Sequence, residues 1–121
     1  GAKVILDTFR DAGHSVERLI AAGGIPMKSP MMMQMLSDIC GMEVRVCESR
    51  QSSARGSAIM GAAVADECEK STRKLKDWIH KLGAGTSAVY NPDYGKRAVY
   101  EKKYRKYIRL KEIFENIDSN D

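Results

Sequence analysis

The adjacent glycines Gly23-Gly24 point more directly to ligand binding than any other feature of this sequence. They follow the apolar run Leu19-Ile20-Ala21-Ala22, which predicts a buried strand, and they precede Ser29-Pro30, which predicts a helix start. Glycine lets the backbone approach another group closely, and a helix start offers unpaired N–H groups at a positive dipole end. This arrangement predicts a nucleotide site, although the spacing alone leaves a plain turn as an equal alternative.

Other patterns for nucleotide or metal chemistry are missing from the sequence. No GxxxxGK[ST] loop is present, and Gly83-Ala84-Gly85 follows a predicted helix rather than the strand that a dinucleotide-binding GxGxxG motif requires. His14 and His80 lack partners at zinc-ligand spacing, so we expect both to be surface or edge residues. A Cys–His nucleophilic pair has no support beyond the presence of both residue types. The three cysteines lie far apart in sequence, which favours a reducing, cytoplasmic setting.

A basic segment near the end of the chain allows two interpretations. Interleaved basic and aromatic residues are typical of single-stranded nucleic-acid binding. Yet Tyr100, Tyr104 and Tyr107 fall at helical spacing and continue toward Ile108 or Leu110 and then Phe114, which predicts a packed stripe with a solvated basic face. We favour packing, and we interpret the Met31–Met35 run as core filler in the same way. The basic residues of the segment are Lys96, Arg97, Lys102, Lys103, Arg105, Lys106, Arg109 and Lys111.

Composition is that of an ordinary single domain. The 121 residues carry a net charge of +4 and 43% hydrophobic residues. No apolar stretch approaches the ~20 residues of a membrane span, and no signal peptide is recognisable. The chain begins with Gly-Ala directly in a helical pattern, so we expect a domain cut from something longer.

Hydrophobic periodicity predicts a βαβ unit in the first half of the chain. A helix over Ala2–Ala12, ended by Gly13, precedes a strand over Val16–Ala22 that is buried toward its end. A second helix begins with Ser29 as its N-cap and Pro30 as its first residue, and Gly41 ends it. Met42–Val46 alternates as a half-buried strand, which should pair in parallel with the first strand. The predicted apolar face of the second helix is Met32, Met35, Leu36 and Ile39.

The pattern in the second half of the sequence predicts mostly helices. Ala54–Cys68 is rich in small residues that permit close packing, and a helix with Leu75, Trp78, Ile79 and Leu82 on one face follows. Gly83–Gly95 predicts a loop, and Arg97–Phe114 predicts a long final helix before a frayed acidic tail. The two strands evident in the sequence are too few for a stable sheet. Either strands have escaped detection or the chain is part of a larger sheet, and we favour the second explanation.

Three segments together resemble one known family. Gly23–Pro30 with Met33, Gln34, Asp38, Gly41 and Val44 resembles the C-terminal signature of the FGGY carbohydrate kinases. Gln51–Ala58 with Gly61–Ala63 is similar to the small-residue helix that follows in this family. The end of the chain, with Tyr90-Asn91-Pro92 and then Tyr100, Tyr104, Tyr107 and Leu110, is most similar to ribulokinases. The resemblance runs from about Lys3 to Phe114.

This resemblance implies an α/β fold, a partial ribonuclease H-like domain of the actin-like ATPase class that is helix-rich around the βαβ unit. It also implies an enzyme that transfers the γ-phosphate of ATP to a sugar hydroxyl. By the family pattern, Gly23 and Gly24 lie against the adenosine. Ser29 matches the position that contacts adenine, although many relatives have Asn there, and Lys28 is a nearby alternative. Ser29 could equally serve only as the helix cap.

The family's phosphate-binding loop and catalytic aspartate have no counterpart in this chain. The resemblance therefore implies that residues 1–121 are a C-terminal fragment of the ATP-binding domain, inactive alone, with no catalytic or metal-binding residue of its own. Mg²⁺ and a sugar such as ribulose would be held mainly by the missing N-terminal part. We expect no membrane or nucleic-acid partner, and a homo-oligomer stays open. The alternatives are a basic nucleic-acid-binding module and a structural interaction module.

Overall fold

The computed structural model describes residues 1–69 and 72–118, with backbone alone for 117 and 118. The elements follow the chain in an α/β order, with six α-helices and three strands in the described part. They are α1 (Ala2–Asp11), β1 (Leu19–Ala21), α2 (Gly24–Lys28), α3 (Pro30–Cys40), β2 (Val44–Cys47), α4 (Ser52–Cys68), α5 (Leu75–Leu82), β3 (Thr86–Tyr90) and α6 (Arg97–Asp118), with a 3₁₀ turn at Tyr94–Lys96 before α6.

The sheet has three strands in the order β1-β2-β3. β1 pairs in parallel with β2, with Ile20 opposite Arg45, which confirms the predicted parallel pair. β3 pairs antiparallel with the other edge of β2. The prediction of a loop over Gly83–Gly95 was therefore wrong, and a third strand had escaped detection, which was the less favoured of the two explanations for the small sheet. The third strand escaped detection because its partner on β2 lies about forty residues earlier, and no local pattern reports such a pairing.

The observed strand boundaries also differ from the predicted ones. β1 is three residues long instead of covering Val16–Ala22, and its central residue Ile20 is 73% exposed rather than buried. β2 begins at Val44 rather than Met42 and alternates as predicted, with Val44 and Val46 buried. Ile20 points away from the core because its neighbours Leu19 and Ala21 take the inward positions beside Val44 and Val46.

Helix α3 covers one face of the sheet, and its caps are the predicted ones. Ser29 occupies the N-cap position, Pro30 the first helical position, and Gly41 ends the helix in the left-handed conformation, with φ 62°. The short helix α2 before it was not predicted, because five residues carry too little periodicity to recognise.

The predicted apolar face of α3 was wrong at Met32 and Met35, whereas Leu36 and Ile39 are half-buried as expected. Met33, Ser37 and Cys40 are buried, whereas Met32 and Met35 are exposed and Met31 is 71% exposed, so the methionine run is core filler at Met33 alone. Leu36 lies between the two clusters of the core. The buried face is rotated because the core can hold the hydroxyl of Ser37, which shares its one hydrogen between the carbonyl oxygens of Met42 and Tyr90, 2.7 and 3.0 Å away.

The remaining helices agree with the sequence except at their ends and in their packing. α1 ends one residue earlier than predicted, and Gly13 takes a positive φ of 82°. α4 begins two residues before Ala54, and α5 is a helix as predicted, with the first and last residues of its predicted apolar face at its two ends. α4 and α5 are joined by the indole N–H of Trp78, which donates to Asp66 at 3.0 Å. A Cβ placed on Gly56 or Gly61 of α4 would meet no described atom of another element within 4 Å.

Helix α6 continues to Asp118, so residues 115–118 are helical rather than frayed, and the rest of the tail lies outside the described residues. The predicted packing stripe holds for its first half. Tyr100, Tyr104 and Ile108 are half-buried, whereas Tyr107, Leu110 and Phe114 are exposed. The stripe is therefore only partly covered within the described chain.

Candidate functional site

The glycine pair lies at the carboxyl end of β1. Because β1 and β2 are parallel, both strands end at the same edge of the sheet, and α2 starts there directly after Gly23. Open α/β sheets bind ligands at this edge. The predicted nucleotide residues are thus at a position of the fold that is suited to a ligand.

Gly23 has a backbone conformation that requires glycine. Its φ is 102° and its ψ is −169°, a region that is essentially closed to residues with a Cβ. No protein atom of the described residues lies within 4 Å of the position that a Cβ would occupy. The glycine is therefore explained by the sharp change of direction between β1 and α2, and not by close packing.

Gly24 has no such explanation among the residues that the structure describes. It is the first residue of α2, its φ is not in the left-handed region, and a Cβ placed on it would meet no described protein atom within 4 Å. Neither the backbone nor the packing of the described residues demands glycine at this position. The space above Gly24 is open, so a side chain there would obstruct only a group from outside these residues.

The other two predicted nucleotide residues lie at the junction of α2 and α3. Lys28 is the exposed last residue of α2. Ser29 is partly buried at the N-cap of α3, but its side chain makes no capping hydrogen bond. Ser29 thus occupies the cap position, but its hydroxyl makes no capping hydrogen bond. That hydroxyl is therefore available to a ligand.

Helix α2 holds these residues in place by one anchoring contact. Met27 packs against the core cluster of Met33, Val44 and Val46. Ile25, one turn before Ser29, is 62% exposed. The four predicted nucleotide residues therefore lie on one short segment, Gly23–Ser29, whose inner side is attached to the core and whose outer side offers an exposed apolar side chain and a lysine.

Sequence reasoning missed a buried polar network on α3, the helix that follows this segment. The Asp38 carboxylate accepts hydrogen bonds from the Gln34 side chain at 2.7 Å and from the backbone N–H of Asp93 at 2.8 Å. Gln34 also donates to the carbonyl oxygen of Asn91 at 2.8 Å, and Lys96 lies 3.8 Å from Asp38. The network attaches the Asn91-Pro92-Asp93 turn to α3. An aspartate within the apolar pattern of α3 was the signal that could have revealed it.

The hydrogen bonds outweigh burial in setting the protonation of Asp38. Burial by itself raises the pKa of the carboxyl, but the Asp93 N–H, the Gln34 amide and the Lys96 ammonium favour the charged form, and the net pKa is below its usual value. Asp38 is therefore a charged structural anchor at neutral pH.

Two of the three tyrosines of α6, Tyr100 and Tyr104, are half-buried rather than exposed beside its basic residues. Tyr104 donates its hydroxyl to Asp7 of α1 at 2.7 Å, and Tyr100 is half-buried. Lys102, Arg105, Lys106 and Arg109 lie instead on an exposed face around an open crevice. Binding of single-stranded nucleic acid relies on bases stacking on aromatic rings beside a basic groove. Among the tyrosines of the described part of α6, only Tyr107 is exposed, and it lies outside the crevice formed by the four basic residues.

Histidines and metal ligands give no second candidate site. His14 and His80 are exposed, as predicted. Among residues 1–69 and 72–118, no three His, Cys, Asp or Glu side chains are grouped so that they could hold a metal ion. In the same part of the chain, no helix has the length and apolar character needed to cross a membrane.

Comparison with known proteins places these features in a family. Residues 1–65 match the model of the FGGY family of carbohydrate kinases, C-terminal domain. The chain is 33% identical over 114 residues to a ribulokinase of Bacillus licheniformis, which covers 94% of the chain and 21% of that protein. It is 36% identical over 117 residues to a ribulokinase of Vibrio parahaemolyticus, which covers 97% of the chain and 20% of that protein. The chain thus spans about a fifth of the length of these curated relatives.

Solved structures agree on the fold. The crystal structure of xylulose kinase from Rhodospirillum rubrum matches with a TM-score of 0.71 and 22% identity, over 95% of this chain and 22% of that one. This likeness confirms the predicted partial actin-like ATPase fold. The match of the family model to more than half of the residues shows that the chain belongs to the FGGY family of carbohydrate kinases, in the C-terminal domain.

Proposed function

We propose that this chain is the part of an ATP-dependent sugar kinase that forms the adenosine side of the ATP site. Ribulokinases match nearly the whole chain, so a sugar such as ribulose is the proposed phosphate acceptor. Gly24 is the observation that carries the proposal. Nothing among the described residues requires glycine there, and the open space above it lies at the ligand-binding edge of the sheet.

The segment Gly23–Ser29 fits an adenosine group in its chemistry. Glycine at positions 23 and 24 lets a ligand approach the backbone without obstruction by a Cβ. The exposed Ile25 offers an apolar surface to a flat ring. The uncapped hydroxyl of Ser29 and the ammonium of Lys28 are the polar groups nearby in sequence that could hydrogen-bond to the nucleotide.

The same segment lacks what phosphoryl transfer requires. That reaction depends on groups that position the phosphates, neutralise their charge and orient the acceptor hydroxyl. The described residues hold no cluster for Mg²⁺, and the chain spans only about a fifth of its relatives. We therefore assign these residues to binding and orienting adenosine, and we assign the catalytic base, the metal site and the sugar site to the remainder of a longer kinase.

Photolabelling tests the assignment directly. The kinase that carries this chain would be irradiated with 8-azidoadenosine triphosphate, digested and mapped by mass spectrometry. We expect label on peptides that contain Gly23–Ser29, and excess ATP should remove it. The exposed face of α6 with Lys102 and Arg105 serves as an internal control for unspecific labelling. Protectable label confined to other segments of the kinase would contradict the assignment.

A further inference from the structure

The turn between β2 and α4, residues 48–51, lies beside the glycine pair. β1 and β2 are parallel neighbours with Ala21 opposite Val46, so both strands end at the same edge of the sheet. Gly23 comes two residues after Ala21, and Glu48 comes two residues after Val46. Paired strands are only ~4.8 Å apart. The β2–α4 turn is therefore next to the proposed nucleotide segment at this edge.

Contacts within the chain hold the β2–α4 turn in place. The Glu48 N–H donates to the carbonyl oxygen of Gly85 at 2.9 Å. Ser49 is buried, and its carbonyl oxygen accepts a hydrogen bond from the Ser52 hydroxyl at 3.0 Å. The backbone before and after Arg50 is thus attached to the fold, which fixes where residue 50 sits at the edge of the sheet.

The Arg50 side chain has no partner among the residues that the structure describes. It is exposed, and it makes no hydrogen bond or ion pair with them. By contrast, Arg45 of β2 pairs with Glu43 at 2.6 Å. The Glu48 carboxylate lies against Gly85, on the β3 side of the turn and away from β1. The guanidinium of Arg50 is therefore available to a ligand at this edge.

A purine ring has two flat faces, and the proposed nucleotide segment offers an apolar contact for one of them. The exposed Ile25 provides that contact. A guanidinium is planar, stacks on aromatic faces and stays charged at neutral pH. Because residue 50 is held on the neighbouring turn, its guanidinium is suited to contact the other face of the ring.

We propose that Arg50 is an ATP-binding residue whose guanidinium stacks on the adenine ring opposite Ile25. The inference rests on the proposed function, because it takes the adenosine to lie along Gly23–Ser29. Contact with the phosphates is the less favoured role for Arg50. The adjoining glycines are assigned to the adenosine end of ATP, and the sequence has no GxxxxGK[ST] phosphate-binding loop.

Substitution of Arg50 in the kinase that carries this chain tests the proposal. Arg50→Met removes both the charge and the plane, whereas Arg50→Lys keeps the charge alone. The Michaelis constant for ATP should rise about tenfold in Arg50→Met, which corresponds to ~1.4 kcal/mol, and by an intermediate factor in Arg50→Lys. The inhibition constant of CTP, which has the same triphosphate on a smaller ring, should rise clearly less. Thermal unfolding would check that both variants are folded.

Arg18 provides the matched control. It is exposed, has no partner among the described residues, and directly precedes β1, so it lies at the opposite edge of the sheet. Arg18→Met should leave both constants unchanged. Equal rises for ATP and CTP in Arg50→Met, or full recovery with lysine, would show a contact with the phosphates and overturn the stacking. Unchanged constants in Arg50→Met would overturn it as well.

Gly24→Val, measured in the same series, separates this inference from the proposed function. If Gly24→Val raises the Michaelis constant for ATP and Arg50→Met does not, the role of Arg50 alone is wrong. If neither variant changes that constant, the adenosine assignment of the segment is wrong too.

Discussion

The Asp38 carboxylate of α3 accepts a hydrogen bond at 2.8 Å from the backbone N–H of Asp93, which lies 55 residues later in the chain. Together with the bond from Gln34 to the Asn91 carbonyl oxygen, it fixes the turn between β3 and α6 to the helix that begins at Ser29. The two halves of the chain are thus joined through a buried charge on α3, the helix that follows the proposed nucleotide segment.

Asp38→Ala should lower the free energy of unfolding by about 2–3 kcal/mol, because it leaves the Asp93 N–H and the Gln34 amide without their acceptor. Asp38→Asn should cost less, about 1 kcal/mol, since its oxygen can still accept from Asp93. Urea unfolding measures both. Asp93→Ala is the control: it removes the exposed ion pair with Lys96 and the hydrogen bond from the Gly95 N–H but keeps the Asp93 N–H bond to Asp38, so the loss should be smaller, about 1 kcal/mol. Equal effects of the three substitutions would contradict the anchoring role.

The same carboxylate should make the free energy of unfolding fall at low pH. Its pKa is lower in the folded chain than the usual 3.8, so the stabilisation is complete above that value and is lost as the pH falls through the folded-state pKa. We expect the stability difference between the unchanged protein and Asp38→Asn to be constant near neutrality and to shrink below about pH 4. Urea midpoints measured against pH test this, and a difference that persists undiminished in acid would refute it.

Tyr104 should make the free energy of unfolding fall at high pH. Burial and the hydrogen bond to Asp7 raise its pKa to about 12, which favours the neutral phenol in the folded state. This stabilisation is complete below the usual tyrosine pKa of 10.0 and is lost as the pH rises toward 12. Ultraviolet difference titration should show one tyrosine ionising later than the others. The late step should be missing in Tyr104→Phe and present in the matched variant Tyr107→Phe.

The two neighbouring glycines should respond differently to alanine. Gly23→Ala forces a Cβ into a region open only to glycine and should cost about 1–3 kcal/mol of stability. Gly24→Ala should leave the free energy of unfolding unchanged or raise it by up to about 1 kcal/mol, because alanine favours the helix. Gly41→Ala is a control with strain at a left-handed helix cap outside the site. A stability loss for Gly24→Ala as large as for Gly23→Ala would show a structural need for that glycine.

The parts of the fold that could be predicted are those with local signals. Ser29, Pro30 and Gly41 define the ends of α3 because caps act through their own backbone conformation. The parallel pairing of β1 and β2 follows from their spacing around a helix. β3 could not be found in this way, since the strand forms only because β2 offers it an unpaired edge.

The rotation of α3 shows why the buried face could not be predicted. A count of apolar residues placed Met32 and Met35 on the buried face of α3. Ser37 and Asp38 are buried there instead, because backbone groups distant in sequence satisfy their hydrogen bonds. The position of Gly23-Gly24 at the edge of the sheet was predictable from the residues. Its assignment to adenosine came from family resemblance, because no distance within the described chain identifies the ligand.

Kinetics of Gly24→Val in the kinase that carries this chain test the central proposal most directly. Gly24→Ala provides a smaller step at the same position, and Ala12→Val, at the end of α1, is the control for added bulk at an exposed position. Because a side chain at Gly24 would intrude on the adenosine, the Michaelis constant for ATP should rise with side-chain size, by about tenfold or more for valine, which corresponds to ~1.4 kcal/mol. The constant for the sugar should change little. Equal changes in the two constants, or no change in either, would contradict the adenosine assignment.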